Sequence, residues 1–439
     1  MGVAMTAIDP GEIRRHLVVL THDIGVRVAG SAAERAAAEY VGAELRRLGA
    51  SVSVEEFPVR ERVVTAEWLE VSAGGAWRRF PCSLLSNTPG TGGRDVEAPV
   101  AVIDAPTGYQ REDLSDLRGK AVLHLGSHIE SADHYRRLME AKPAFLMFVD
   151  VRYPGDVPTS DGMFPAYVHH FGAVPSVSVA YQDAWSWLAG GAAAARLRVD
   201  GGMRDSHSQN VIGELPGTDP AAGVIYVGAH HDTQADSVGA DDNGTGVAAI
   251  LGLAGAMAGL PRRRTIRFVS FGAEEQLSVG SAVFVRRHRD DIAAHGRFMF
   301  NFDTLGSHLG WTYLVCNGPE GIAPVFVEAL KARGQYVKVV EDVIPYADHF
   351  PFVAAGLPAA WMGRDNCTAG RFFHHRPDDD MTRVSFALVA ELAAGVGTAL
   401  HGLATADRLP PFDASVTGRH RAAVDTIWND FFGGWAGFA

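Results

Sequence analysis

The chain has 439 residues, 47% of them hydrophobic, and a formal net charge of −12. That length fits two to three domains of about 150 residues each, and the acidic balance, with only short basic runs at 261–264 and 286–289, argues against a phosphate-backbone binder. Three scattered cysteines, Cys82, Cys316 and Cys367, exclude a disulfide framework and a thiolate zinc site.

The N-terminus, Met1 to Pro10, lacks a charged stretch followed by an apolar run, and no segment holds eighteen uninterrupted apolar residues. These features predict a cytoplasmic protein that meets neither membrane nor nucleic acid.

Residues 11 to 63 read as two helices and a strand. Ser31-Ala-Ala-Glu34 is a capping box, Tyr40, Val41, Leu45 and Leu48 share a helical face, and Ser51 to Phe57 alternates like a strand with one wet face. We assign residues 1–64 to the first part of a catalytic domain, as scaffold. From 65 to 205 the texture changes to short apolar runs (Pro99–Asp104, Gly119–Leu125, Ala144–Val149, Val174–Val179) between Pro-, Gly- and Asp-rich turns, which predicts a β-rich inserted domain. Tyr167, His169, His170 and Phe171 lie in this insert, where surface loops commonly carry such residues without a role.

From 206 to 405 the pattern becomes strand, loop, helix, repeated. This predicts an α/β domain with a mostly parallel mixed sheet flanked by helices. Val224–Ala229 runs into His230, Thr265–Phe271 stops just before Glu274, and Arg297–Phe302 runs into Asp303. In open α/β sheets ligands bind beyond the carboxyl ends of the strands, and three strands place a metal-type side chain there. A small apolar helix from Gly244 to about Gly259 puts Asp242 at its start, and a second spans Ser278 to His288. Beyond 405, a tail with Trp428, Phe431, Phe432, Trp435 and Phe438 is too aromatic for water, so it docks on the catalytic domain or on a second subunit, as in a homodimer.

Each site residue has an ordinary structural explanation. A histidine after an apolar strand usually packs or caps, Asp-Asn-Gly is commonly a turn, and paired glutamates commonly mark a wet helix face. Glu274-Glu275, however, follows a buried strand.

Taken together, the motifs His230-His-Asp232, Asp242-Asn-Gly244, Ala273-Glu-Glu275 with Gly280-Ser281, Asn301-Phe-Asp303 and His375 with Asp379 resemble the co-catalytic dizinc aminopeptidase family. That family includes bacterial leucyl aminopeptidases, aminopeptidase Y and glutamate carboxypeptidases. The resemblance implies a zinc exopeptidase fold, and the order of segments in 65–205 is similar to the protease-associated insert of such enzymes. It further implies two divalent metal ions, zinc before cobalt or manganese. One would be held by His230, Asp242 and Asp303, the other by Asp242, Glu275 and His375, with a bridging hydroxide as nucleophile, Glu274 as general base and Asp232 orienting His230.

His374 and His375 are neighbours and either can serve as the late ligand; the spacing to Asp379 selects His375. Where family members can carry a tyrosine, His374 stands, and it takes that residue's hydrogen bond to the tetrahedral intermediate. Tyr346 to Phe352 resembles a supporting Ser-Asp-His-x-Pro-Phe segment.

The expected activity is aminopeptidase action on peptides. The rival on the same site is a carboxypeptidase-type or N-acyl amino acid hydrolase, with one of Arg364, Arg371 or Arg376 gripping a substrate carboxylate. A metal-free binding protein of the same fold is a third reading, disfavoured because every liganding position is filled. One-zinc acyl transfer of the glutaminyl cyclase kind is disfavoured because His230 and His375 can serve two metals.

Overall fold

In the computed structural model, which describes residues 7–105, 107–152, 154–365, 373–409, 416 and 418–437, the chain divides into two compact units. One comprises Met1–Val59 with His207–Trp428, the other Arg60–Ser206 with Asn429–Ala439.

The first unit is built on a mixed sheet in the order Val337–Val340, Trp311–Asn317, Ala359–Asp365, Gly296–Phe302, Val224–His230, Thr265–Phe271 and the end of Ala192–Leu215. Its centre is parallel: Val224–His230 pairs in parallel with Thr265–Phe271 and with Gly296–Phe302, which pairs in parallel with Ala359–Asp365. Antiparallel neighbours lie on either side of that centre.

The central strands read as continuous apolar runs because both faces are covered. Ile225, Val227, Ala229, Phe298, Phe300 and Phe302 belong to one core with Val247, Ile250 and Leu251 of the helix Gly246–Met257. Val389, Leu392, Val396, Leu400 and Leu403 of the helix Phe386–Thr405 join that core at helical spacing. On the opposite face Tyr226 and Phe271 meet Phe284 and Phe352, with ring centroids 5.2 to 6.2 Å apart. This is the α/β sheet flanked by helices that the residue pattern predicts.

One predicted helix start shifts, and one predicted cap differs in detail. The helix expected from Gly244 begins at Gly246, because Ala240–Thr245 forms a wide turn first and Asp242 and Asn243 depart from helical geometry. Ser31 caps the helix Ala32–Arg47 through Glu34 N at 3.1 Å, as the capping box requires. Glu34, however, reaches one residue further back, accepting from Gly30 N at 2.6 Å, and its other oxygen turns inward.

In the second unit Val96–Asp104, Ala121–Leu125, Phe145–Val149 and Ser176–Ser178 pair in parallel, with Ser83–Leu84 antiparallel at the end. Leu123, Phe145, Met147, Val177 and Trp187 form its core, and helices Ala132–Ala141, Pro165–Phe171 and Tyr181–Ala189 alternate with the strands. Tyr167 is buried against Tyr135 and Phe164, while His169 and His170 are exposed on the same short helix.

The aromatic tail is helical over Gly418–Phe432, and Trp428, Phe431 and Phe432 are buried. Trp428 packs in the first unit beneath the Arg286 guanidinium, whereas Phe431 packs in the second against Phe164. Phe438, Cys367 and Arg371 lie outside the described residues.

Candidate metal centre

His230 ends the central strand, Asp303 follows the neighbouring strand, and Asp242 sits in the turn between the His230 strand and the helix Gly246–Met257. That turn requires glycine at 239: its φ is 52°, and a side chain there would collide with the Asp242 carbonyl oxygen. The Asn243 side chain ties the turn to the Asp303 strand, donating to Phe302 O at 2.8 Å and accepting from Gly246 N at 2.9 Å. The Asp379 carboxylate accepts from Asp241 N and Asp242 N at 2.9 and 3.0 Å.

These supports bring the ligand atoms of His230, Asp242 and Asp303 within 4.8 Å of one another, and those of Asp242, His374 and His375 likewise. Asp242 is common to both groups. Its Oδ1 lies 3.2 Å from His230 Nε2, and its Oδ2 lies 2.8 Å from His374 Nδ1 and 3.4 Å from His375 Nε2. One carboxylate therefore presents an oxygen to each group, which is the geometry of a bridging ligand.

Glu275 converges on the second group, with Oε2 2.9 Å from His375 Nε2 and Oε1 accepting from Gln234 N at 3.2 Å. The two histidine rings stack at 3.5 Å, so His374 lies beside His375 rather than apart from it. Glu274 faces the first group, Oε2 lying 3.8 Å from His230 Nε2, while Ser278 Oγ donates to its Oε1 at 2.8 Å.

Asp232 lies 3.4 Å from His230 Nδ1, and its contacts extend beyond that ring. Its two oxygens accept from Glu274 N at 3.0 Å and Glu275 N at 3.2 Å, fixing the turn that carries both glutamates. Five of the turn and ligand residues, Ala273, Leu277, Ser278, Thr304 and His375, hold positive φ, a backbone state that persists only where the surroundings impose it.

The charges show what the site is built for. Burial raises the carboxyls of Glu275 to about 7 and Asp303 to about 6. It also drives Glu274 well above the usual range; His230 opposes that rise, and Asp348, Asp303 and Glu275 add to it. Burial opposes charge on His230 too, yet Asp303, Asp232 and Asp242 hold its imidazole well above its ordinary value. Asp242 is held well below, since hydrogen bonds with His230, His374 and His375 outweigh its burial. A buried carboxylate excess of this kind, with imidazole and carboxylate donors converging, fits two divalent cations.

Of the arginines, Arg364 is turned to structural use: it donates to Thr312 Oγ1 and Gly310 O, both at 2.9 Å. Asp348 and His349 are fully buried.

The N-terminal segment carries contacts that its reading as scaffold missed. Glu34 Oε1 accepts from Ser208 Oγ at 2.6 Å and Ala273 N at 3.2 Å, directly before Glu274. Arg27, wholly buried, bonds to the loops after His230. The available signal was a charged residue inside the small, apolar run Gly25-Val-Arg-Val-Ala-Gly30.

Ligand groups gathered at the carboxyl ends of parallel strands around a shared carboxylate define a metal-dependent hydrolase. Residues 210–399 match the model of peptidase family M28. The chain is 26% identical over 388 residues to aminopeptidase YwaD of Bacillus subtilis, covering 83% of this chain and 78% of that protein. It is 28% identical over 362 residues to the probable lipoprotein aminopeptidase LpqL of Mycobacterium tuberculosis, covering 77% and 69%. The fold is that of BSAP, a zinc aminopeptidase from Bacillus subtilis, with a TM-score of 0.73, 21% identity and coverage of 94% and 98%. The chain is thus a metallopeptidase with a candidate dinuclear centre.

The cytoplasmic location expected from the N-terminal residues is corrected by these relatives. LpqL carries the name of a lipoprotein, which points away from the cytoplasm. The expectation rested on the absence of a leader pattern, which says little about where a chain works.

Proposed function

We propose that the protein is a zinc aminopeptidase, releasing N-terminal residues from peptides. The observation that carries the reading is Asp242, with one oxygen toward His230 and Asp303 and the other toward His374 and His375. The names of YwaD and BSAP support both the activity and the metal. His230, Asp242 and Asp303 would hold one ion; Asp242, Glu275 and His375 would hold the other, supported by the 2.9 Å approach of Glu275 to His375. When bound, the ions supply acidification of a shared water and polarisation of the substrate carbonyl.

Glu274 takes a proton at Oε2 and hands it to the leaving nitrogen, while Ser278 tethers its other oxygen. Asp232 keeps that carboxylate aimed by holding the Glu274 and Glu275 amides. His374, engaged through Nδ1 with Asp242, offers its other ring nitrogen to the substrate oxygen. Residues 65–205 are proposed as a protease-associated-like insert and the aromatic tail as its companion, which the parallel strand run and the Phe431–Phe164 packing support.

The carboxylate-gripping alternative is weakened by Arg364, whose guanidinium is committed to Thr312 and Gly310. Assay of aminoacyl anilides beside N-acylated and C-terminal glutamate substrates tests the reading. Cleavage of the anilides is expected; cleavage of only the other substrates would overturn it.

A further inference from the structure

Two short segments flank ligands of the first metal group, residues 231–234 after His230 and residues 237–242 with Asp242, and one side chain far earlier in the sequence, Arg27, bonds to both. Arg27 is 0% exposed. Its Nε donates to His231 O at 2.8 Å, Nη1 to Val238 O at 2.8 Å, and Nη2 to Gly239 O at 3.2 Å. Nη1 also donates to Leu20 O and Gly25 O, both at 2.9 Å, anchoring the guanidinium to its own segment. The backbone joins in: Arg27 N donates to Thr233 Oγ1 at 2.9 Å, and Thr233 N donates to Arg27 O at 3.1 Å.

Every hydrogen bond of the guanidinium ends on a main-chain carbonyl. An arginine kept only for an ion pair would spend its fork on a carboxylate. Here the fork is planar and rigid, and its three edges fix three carbonyls relative to one another. His231 O lies between His230 and Asp232 in the chain, while Gly239 O also accepts from Gly244 N at 3.0 Å and so closes the turn that holds Asp242. Arg27 thus links the segment that follows His230 to the turn that carries Asp242. A cation is also well placed there, under a cluster of carboxylates, although a buried charge is costly unless such a field offsets it.

We propose that Arg27 is a positioning residue for the metal centre, a clasp from the N-terminal segment that fixes His230 and Asp242 at metal-binding separation. The proposal rests on the metal-centre reading above. Its mechanism is geometric. A lysine at 27 retains the charge but reaches at most one or two of the three carbonyls in place of the fork.

The test compares Arg27→Lys, Arg27→Met and Thr233→Val, with Thr233→Ser as the conservative control, in the full chain. Zinc affinity is read by competition with a chromophoric chelator, folding by circular dichroism, and kcat and KM separately on an aminoacyl anilide. Supports behind metal ligands typically contribute about 10- to 100-fold in affinity or activity. Arg27→Lys should therefore bind zinc at least about 10-fold more weakly while folded, with kcat falling more than KM rises. Thr233→Val should weaken zinc in the same direction by less, and Thr233→Ser should restore it. A purely structural arginine would lower the unfolding temperature and leave zinc affinity and kcat of the folded protein intact. That result in Arg27→Lys, or in Thr233→Val should the position 27 variants not fold, overturns the clasp. A wild-type chain that binds no zinc would instead overturn the metal centre itself, and the clasp with it.

Discussion

Replacing Asp232 by asparagine separates orienting an imidazole from holding a catalytic turn. The carboxylate is fully buried and accepts from two amides, Glu274 N and Glu275 N, at 3.0 and 3.2 Å, with His230 Nδ1 at 3.4 Å. Asparagine keeps the shape and one acceptor, but turns an NH2 group toward one of those donors. A hydrogen bond to a charged group contributes about 1.5 to 3 kcal/mol. Losing one and weakening the other therefore costs about 2 to 4 kcal/mol of metal-free stability.

The same change frees the Glu274 carboxylate from its aim. With a tenfold rate change for each 1.36 kcal/mol, even 2.7 kcal/mol of misplacement in the transition state lowers kcat/KM by about 100-fold. Urea unfolding of the chelated protein gives the first quantity, and hydrolysis of an aminoacyl anilide at saturating zinc gives the second. A folded Asp232→Asn variant with wild-type stability and turnover would refute the assignment of that carboxylate to the Glu274 turn. A loss of zinc affinity with unchanged turnover at saturation would leave Asp232 with the imidazole alone.

Glu274→Gln should leave metal content intact and reduce turnover on the order of 100-fold or more, and full activity would place the base elsewhere. Asp242→Ala removes the shared ligand, so both ions should be lost together on metal analysis, with activity; retention of one tight ion would show that the groups are independent. Treatment with a chelator should abolish activity and lower the unfolding temperature, and zinc should restore both. Away from the site, Glu44 is pushed up by burial but held at about 2 by hydrogen bonds from Arg47 and Arg15. A carboxyl depressed in the folded state contributes stability above its unfolded value near 4.5, and that contribution is lost as pH falls toward 2. Relative to Glu44→Gln the wild type should thus be favoured by about 1 kcal/mol at pH 6, discounted because both arginines are partly exposed. That advantage should shrink steadily in urea titrations between pH 5 and pH 3; a constant difference would argue against it.

Much of the site was legible because its chemistry sits at strand ends. His230, Asp303 and the Glu274-Glu275 pair follow apolar runs, and buried parallel strands announce themselves by unbroken hydrophobicity. The sequence could not reveal which of two adjacent histidines faces Asp242, because both do: His375 adopts positive φ and His374 stacks on it. Nor could it reveal the reach of Arg27 or Glu34 to the site, where their partners are carbonyls, an amide and a serine more than 170 positions away. Long-range bonds to backbone leave no side-chain pattern, so Ser31-Ala-Ala-Glu34 reads as an ordinary cap while its glutamate also reaches Ala273. The late start of the helix at Gly246 was hidden similarly, since Asp-Asn-Gly suits both a helix entry and the wide turn that forms.

The bond from Arg27 to His231 spans 204 positions of chain. Contacts of that separation form late, because the entropy of closing so large a loop must be met before they stabilise anything. During synthesis the arginine precedes every ligand and the late histidines follow all the others, so the second of the two proposed ions lacks a complete set of ligands until position 375 has been made. Assembly of the dinuclear centre is therefore tied to synthesis past His375, and a chain that stops short of it lacks the ligands of the second ion.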